Sequence, residues 1–245
     1  IIVDVISFFI SAIFLYSLPE LKPHLVSEKL KENGFKKVGV LTSIRKSNSL
    51  KLLFISMFFA IFVIIGFDVL SPVFIRDVLG GDEKFFGLAI GSIGLGTVIA
   101  SVLILNRKSA SNPWKDFSMG LILLMIIPVV LGLVININNI GYAKAIILFA
   151  CFIGGVGNGL LTIQVSTLLQ LLSPTNLLGR FSGIFQATAV SGQLCGLLLT
   201  PLFVQALKSM QNYFYLSAAT ILILFVFVVI NYKTKIQNQL DYVKI

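Results

Sequence analysis

Seven apolar runs separated by polar gaps make up the chain. They cover about residues 1–18, 52–75, 85–105, 117–135, 144–170, 181–207 and 213–232. Most approach or exceed the roughly 20 apolar residues that an α-helix needs to cross a bilayer. The runs are continuous rather than alternating, which excludes a β-barrel. Backbone polar groups cannot stay unpaired in lipid, so each run is expected to be helical. Pro19, Pro113, Pro174 and the cluster 136–141 punctuate the ends. The pattern predicts an all-α protein, a polytopic transmembrane helical bundle of seven spans. Residues 1–18 form the first span, 19–51 a polar segment, 52–232 a six-helix bundle and 233–245 a tail.

Composition agrees. The chain is 57% hydrophobic and only 12% charged, too little charge to cover the surface of a soluble domain of 245 residues.

Charge gives the spans a direction. The segment Pro19–Lys51 carries Lys22, Lys29, Lys31, Lys36, Lys37, Arg45, Lys46 and Lys51 against Glu20, Glu28 and Glu32. Basic loops next to spans are held on the cytoplasmic side. That side then also receives Arg107, Lys108, Lys115, Arg180, Lys233, Lys235 and Lys244. The other side has only Arg76, Lys84, Lys144 and Lys208. An external N-terminus and an internal C-terminus follow. The chain opens on Ile1 within an apolar run and lacks the basic flank and cleavage site of a secretion signal. It therefore reads as the middle of a longer polypeptide. Tyr16, Trp114, Tyr142, Tyr213, Tyr215 and Tyr232 fall near span edges, where amphipathic rings prefer to sit.

The net charge of +9 sits in the gaps between apolar runs, which argues against a nucleic-acid partner. Cys151 and Cys195 lie inside spans and read as packing residues. The sole histidine, His24, has no metal-ligand cluster around it, and no phosphate-binding Gly-x-x-x-x-Gly-Lys-Ser/Thr stretch occurs. Neither enzyme chemistry, a cofactor nor a metal is expected.

Small residues recur in three spans: Gly87, Gly91, Gly94 and Gly96; Gly154, Gly155, Gly157 and Gly159; and Gly183, Ala187, Ser191, Gly192 and Gly196. Such spacing lets helix backbones approach closely, as ordinary packing or as surfaces that slide. No internal repeat is legible.

Polar side chains inside spans are costly and face a neighbour or a cavity. Asn158 and Thr162 are one turn apart, and Gln186 and Gln193 are two turns apart, so each pair shares a face. These four are candidates for a substrate path, or for hydrogen bonds between helices. Two acids lie in or near spans, Asp4 and Asp68. Asp68 is about 25 Å along its helix from Lys51, in the outer part of a core about 30 Å thick. It is the candidate for ion coupling, as a carboxyl able to exchange a proton, and no close partnership with Arg76 is expected. Gly179 and Arg180, at the start of the sixth span, are candidates for a gate. A plain charge anchor is the simpler reading of Arg180.

Leu70-Ser-Pro-Val-Phe-Ile-Arg-Asp-Val-Leu-Gly-Gly81 resembles a segment of major facilitator superfamily efflux permeases, in the branch of macrolide and siderophore exporters. Asp4 with Ser7, Phe8 and Phe9 resembles their sixth helix, and Leu178-Gly-Arg-Phe-Ser-Gly183 resembles their loop between the tenth and eleventh helices. There the family often has Arg-Gly-Arg, and this chain has Leu178 in the first place. The resemblance implies the C-terminal part of such a transporter: spans two to seven match helices seven to twelve and form one half of the fold. It further implies export of a small molecule by alternating access, ion-coupled, in the plasma membrane of a bacterium. The partners would be the lipid bilayer, a small-molecule substrate and the missing N-terminal helices. The alternative is a seven-helix receptor or scaffold that docks a partner or anionic lipid through its basic segment. A transporter predicts a polar cavity lined by the second, fifth and sixth spans; a scaffold predicts a closed bundle.

Overall fold

The computed structural model describes residues 2–16, 44–45, 47–80, 83–107, 112–174 and 177–232. Most of the basic segment, the tail 233–245 and the side chain of Asp4 lie outside the described residues. So do His24 and Lys36. Seven long helices and no strand occur among the described residues: α1 (Ile2–Tyr16), α2 (Asn48–Asp77), α3 (Glu83–Leu105), α4 (Pro113–Val134), α5 (Ile140–Leu172), α6 (Leu178–Leu207) and α7 (Met210–Asn231). The fold class is all-α, as the apolar runs predict. The chain divides into two units, Ile1–Gly39 and Val40–Ile245. The first contributes α1, an apolar helix of 15 residues.

In the second unit, α2 to α7 are all long and apolar enough to cross a membrane. The protein is a multi-pass membrane protein. Several helices start earlier than hydropathy suggests, because capping residues carry them into polar sequence. Asn112 accepts from the Trp114 backbone N–H, and Pro113 follows at the first helical position, where its missing N–H is no loss. Asn139 accepts from Gly141 and Tyr142, so α5 begins at Ile140 inside the polar cluster. Ser47 and Ser209 cap α2 and α7 in the same way. The helix α2 has 30 residues, α5 has 33 and α6 has 30. At 1.5 Å per residue these run about 45–50 Å, well beyond the hydrocarbon.

The packing reveals a repeat that the sequence hides. Helix α3 packs on α5 as α6 packs on α2; α4 packs on α5 as α7 packs on α2; α4 and α7 pack on each other. Exchanging α2-α3-α4 with α5-α6-α7 leaves this pattern unchanged. Three spans reverse the chain's direction, so the second triplet runs opposite to the first, the arrangement of an inverted repeat.

Small residues make the closest of these approaches possible. A methyl added at Gly96 would lie 2.2 Å from the Phe152 carbonyl oxygen, and one at Gly155 2.2 Å from the Ile93 carbonyl oxygen. On the matching pair, Gly192 and Gly196 stand against the carbonyl oxygens of Phe58 and Phe62 at 2.8 and 2.9 Å in the same sense. Gly87, Gly91, Gly94 and Gly183, by contrast, have open space beside them.

Two aromatic placements need correction. Trp114 and Tyr213 are 3% and 2% exposed. They are packing residues, not belt residues. Trp114 meets Phe117 edge-on, and Tyr213 bonds Thr200 at 3.0 Å. Tyr142, at 70% exposed, fits the belt reading.

Candidate functional site

Proline creates the local geometry of the site. Pro72 lies inside α2 and offers no N–H to the carbonyl four residues back, that of Asp68. The Ser71 hydroxyl donates to that carbonyl instead, at 3.4 Å. Pro128, inside α4, leaves the Leu124 carbonyl without its helical donor in the same way. Asp68 and Leu124 both line one cavity of about 390 Å³, enclosed by α2, α3, α4, α5 and α7. Broken helix turns beside a cavity are tolerated because the cavity or its contents can satisfy the freed groups.

The cavity wall is mostly apolar. Phe67, Phe86, Ile90 and Phe214 supply much of it, and the polar groups are Asp68, Ser71, Asn158, Tyr213 and Ser217. Two of the residues singled out in the sequence, Asp68 and Asn158, therefore line the same cavity, from α2 and α5. The Asp68 carboxylate makes no ion pair or hydrogen bond with a described residue. Arg76 instead pairs with its neighbour Asp77 at 2.7 Å. The expected lining by α2, α5 and α6 is corrected: α6 contributes nothing, and α3, α4 and α7 do.

The other candidates lie elsewhere. Thr162 is exposed, and its hydroxyl donates to the Asn158 carbonyl at 2.9 Å. With Ser166 and Gln170 it continues a polar stripe from Asn158 at steps of four along α5, and Thr162, Ser166 and Gln170 are all exposed. Gln186 and Gln193 are exposed on α6, away from the cavity. Gly179 and Arg180 are exposed at the start of α6, and Arg180 pairs with no described residue.

One cluster escaped sequence reasoning. A terminal nitrogen of the Arg107 guanidinium donates to both carboxylate oxygens of Asp116, at 2.9 Å each. Gln164 of α5 donates its amide to the same carboxylate at 3.2 Å. Asp116 is 9% and Gln164 5% exposed. Nearby, Asn112 donates to the Tyr232 hydroxyl, tying the start of α4 to the end of α7. These contacts lock three helix ends together where the bundle carries its basic residues.

The sequence model of the Major Facilitator Superfamily matches residues 1–192. The chain belongs to that family, and it is a membrane transporter. No curated protein and no solved structure matches it.

Proposed function

We propose that this chain is the C-terminal part of a secondary active transporter that exports a drug-like, macrolide-like or siderophore-like small molecule by alternating access. In this reading the end bearing Lys51, Arg107 and Arg180 is cytoplasmic, and the membrane is the plasma membrane of a bacterium. The observation that carries it is the polar stripe that runs from the half-buried Asn158 through the exposed Thr162, Ser166 and Gln170 along a helix of 33 residues. Polar groups facing lipid would be costly. Facing a second bundle across a wet path they are in place. Small exposed residues on α3 and α6, including Gly91 and Gly183, flank the same role as surfaces against which a second bundle can rock. Asp68 is the group proposed to couple export to an ion, and Arg180 with Gly179 the group proposed to close the cytoplasmic end.

The test is reconstitution. The chain co-expressed with a complementary N-terminal bundle of the family should give efflux that neither part gives alone. Thr162→Phe and Ser166→Phe should abolish it without reducing the amount of folded protein. Efflux by this chain alone, or efflux indifferent to both substitutions, would sink the reading.

A further inference from the structure

The cavity under Asp68 is a different place from the α5 stripe, and the two touch only at Asn158. Its chemistry is one-sided. Among the described residues, Asp68 is its only lining carboxyl group, and no lysine, arginine or histidine lies on the wall. The next cation along α2, Arg76, is two turns away and already held by Asp77. Asp68 is exposed, so a ligand can reach it. Around it stand the rings of Phe67, Phe86 and Phe214 and the aliphatic side chains of Ile64, Ile90 and Ile93.

That wall selects among ligands. An anion would meet an uncompensated carboxylate. A sugar would need many hydrogen-bond partners; beyond Asp68 the wall offers two serines, one amide and the Tyr213 hydroxyl, and Thr200 already holds the last. A bare divalent ion wants about six oxygen ligands, and no three metal-ligating side chains come together among the described residues. An organic cation with an apolar body matches both features, since aromatic faces attract ammonium groups and a carboxylate pairs with them. A space of about 390 Å³ is in the range of small-molecule pockets. We infer that this cavity binds an amphipathic organic monocation, a tertiary or quaternary amine, with its ammonium against Asp68 and its apolar part against Phe67, Phe86 and Phe214.

The test is equilibrium binding to the purified 245-residue chain in detergent, by calorimetry. The probe is benzyltrimethylammonium, and the control is its uncharged carbon isostere, neopentylbenzene. Saturable binding of the ammonium is expected. Asp68→Asn should weaken it about tenfold or more, a change of about 1.4 kcal/mol, and leave the isostere unaffected. Asp68→Glu should bind close to the parent. Ile90→Trp fills the cavity while keeping the acid, and it should remove binding of both probes. That variant keeps the test decisive if Asp68→Asn fails to fold. Absence of saturable ammonium binding, equal weakening of both probes by Asp68→Asn, or normal binding by Ile90→Trp would each overturn the site. Because the assay reads binding and not efflux, its failure leaves the export reading standing, and loss of export leaves this site standing.

Discussion

Asp116 receives a hydrogen bond on each carboxylate oxygen from one nitrogen of Arg107, at 2.9 Å to each. The pair is unequal in burial: the Arg107 side chain is 50% exposed and the Asp116 side chain 12%. The arginine can fall back on water and the aspartate cannot. Gln164, behind it, depends on the same carboxylate. Asp116→Ala should therefore destabilise the bundle by roughly 1–3 kcal/mol, because it orphans a buried amide. Arg107→Ala should cost more, because it takes the Arg107 cation away from a carboxylate that is buried. Asp116→Asn retains an oxygen for Gln164 and should cost least. Thermal unfolding of the three variants in one detergent checks the order, and an Arg107→Ala loss smaller than that of Asp116→Ala would show the pair to be read the wrong way round.

The glycines separate into two groups that substitution can tell apart. At Gly96 an added methyl meets backbone, which cannot turn aside. Gly96→Ala should lower stability by about 1–3 kcal/mol through overpacking. At Gly91 nothing lies within 4 Å, and Gly91→Ala should be neutral or stabilising by up to about 1 kcal/mol from helix propensity. If α3 meets a second bundle through this face, Gly91→Leu should keep the chain's own stability while lowering efflux in the reconstituted transporter. Stability loss at Gly91 as large as at Gly96 would refute the division.

The spans were legible because a membrane helix must be continuously apolar, and the seven runs match seven helices. The polar ends were not. Hydropathy starts the fourth span at 117, whereas the Asn112 cap starts α4 at Pro113. Asp116 thereby moves from an apparent loop into a buried first turn. Its partner Gln164 is 48 residues away, and no local pattern announces such a pairing. Asp68 and Asn158 stood out because polar groups in spans are rare. Gln186 and Gln193 stood out equally, yet they are exposed on α6. Periodicity tells which residues share a helix face, not what that face looks at. The repeat was hidden for a similar reason, since it lies in which helices touch rather than in which residues recur.

The orientation inferred from charge makes a direct prediction. With Cys151 and Cys195 replaced, a cysteine at Lys36 should resist an impermeant thiol reagent in intact cells, and one at Asn138 should react. Asn138 is exposed in the turn between α4 and α5, so poor access cannot explain a failure to label. Reaction at 36 without reaction at 138 would reverse every helix direction proposed above.

A crowded junction joins α2, α6 and α7. Gly66 sits where a methyl group would lie 1.9 Å from the Tyr213 hydroxyl oxygen and 2.9 Å from the Thr200 hydroxyl oxygen. Those two hydroxyls bond each other at 3.0 Å, and both residues are buried, Thr200 at 0% exposed and Tyr213 at 2%. Gly66→Ala must therefore expel the tyrosine hydroxyl, breaking a buried hydrogen bond as well as overpacking the site; a loss of about 2–4 kcal/mol is expected. Tyr213→Phe removes the clashing atom and should cost only about 1 kcal/mol alone, for the hydroxyl left behind on Thr200. The two changes should not add. The double variant should be more stable than Gly66→Ala alone, since the ring carbon beneath the hydroxyl lies at 3.0 Å and needs to yield by only a few tenths of an ångström. Additive losses in a double-mutant cycle would mean that Gly66 is required by something other than the Tyr213 hydroxyl. Tyr213 also lines the cavity beneath Asp68. Gly66→Ala should accordingly weaken benzyltrimethylammonium binding as well, and Tyr213→Phe in the same chain should restore part of it.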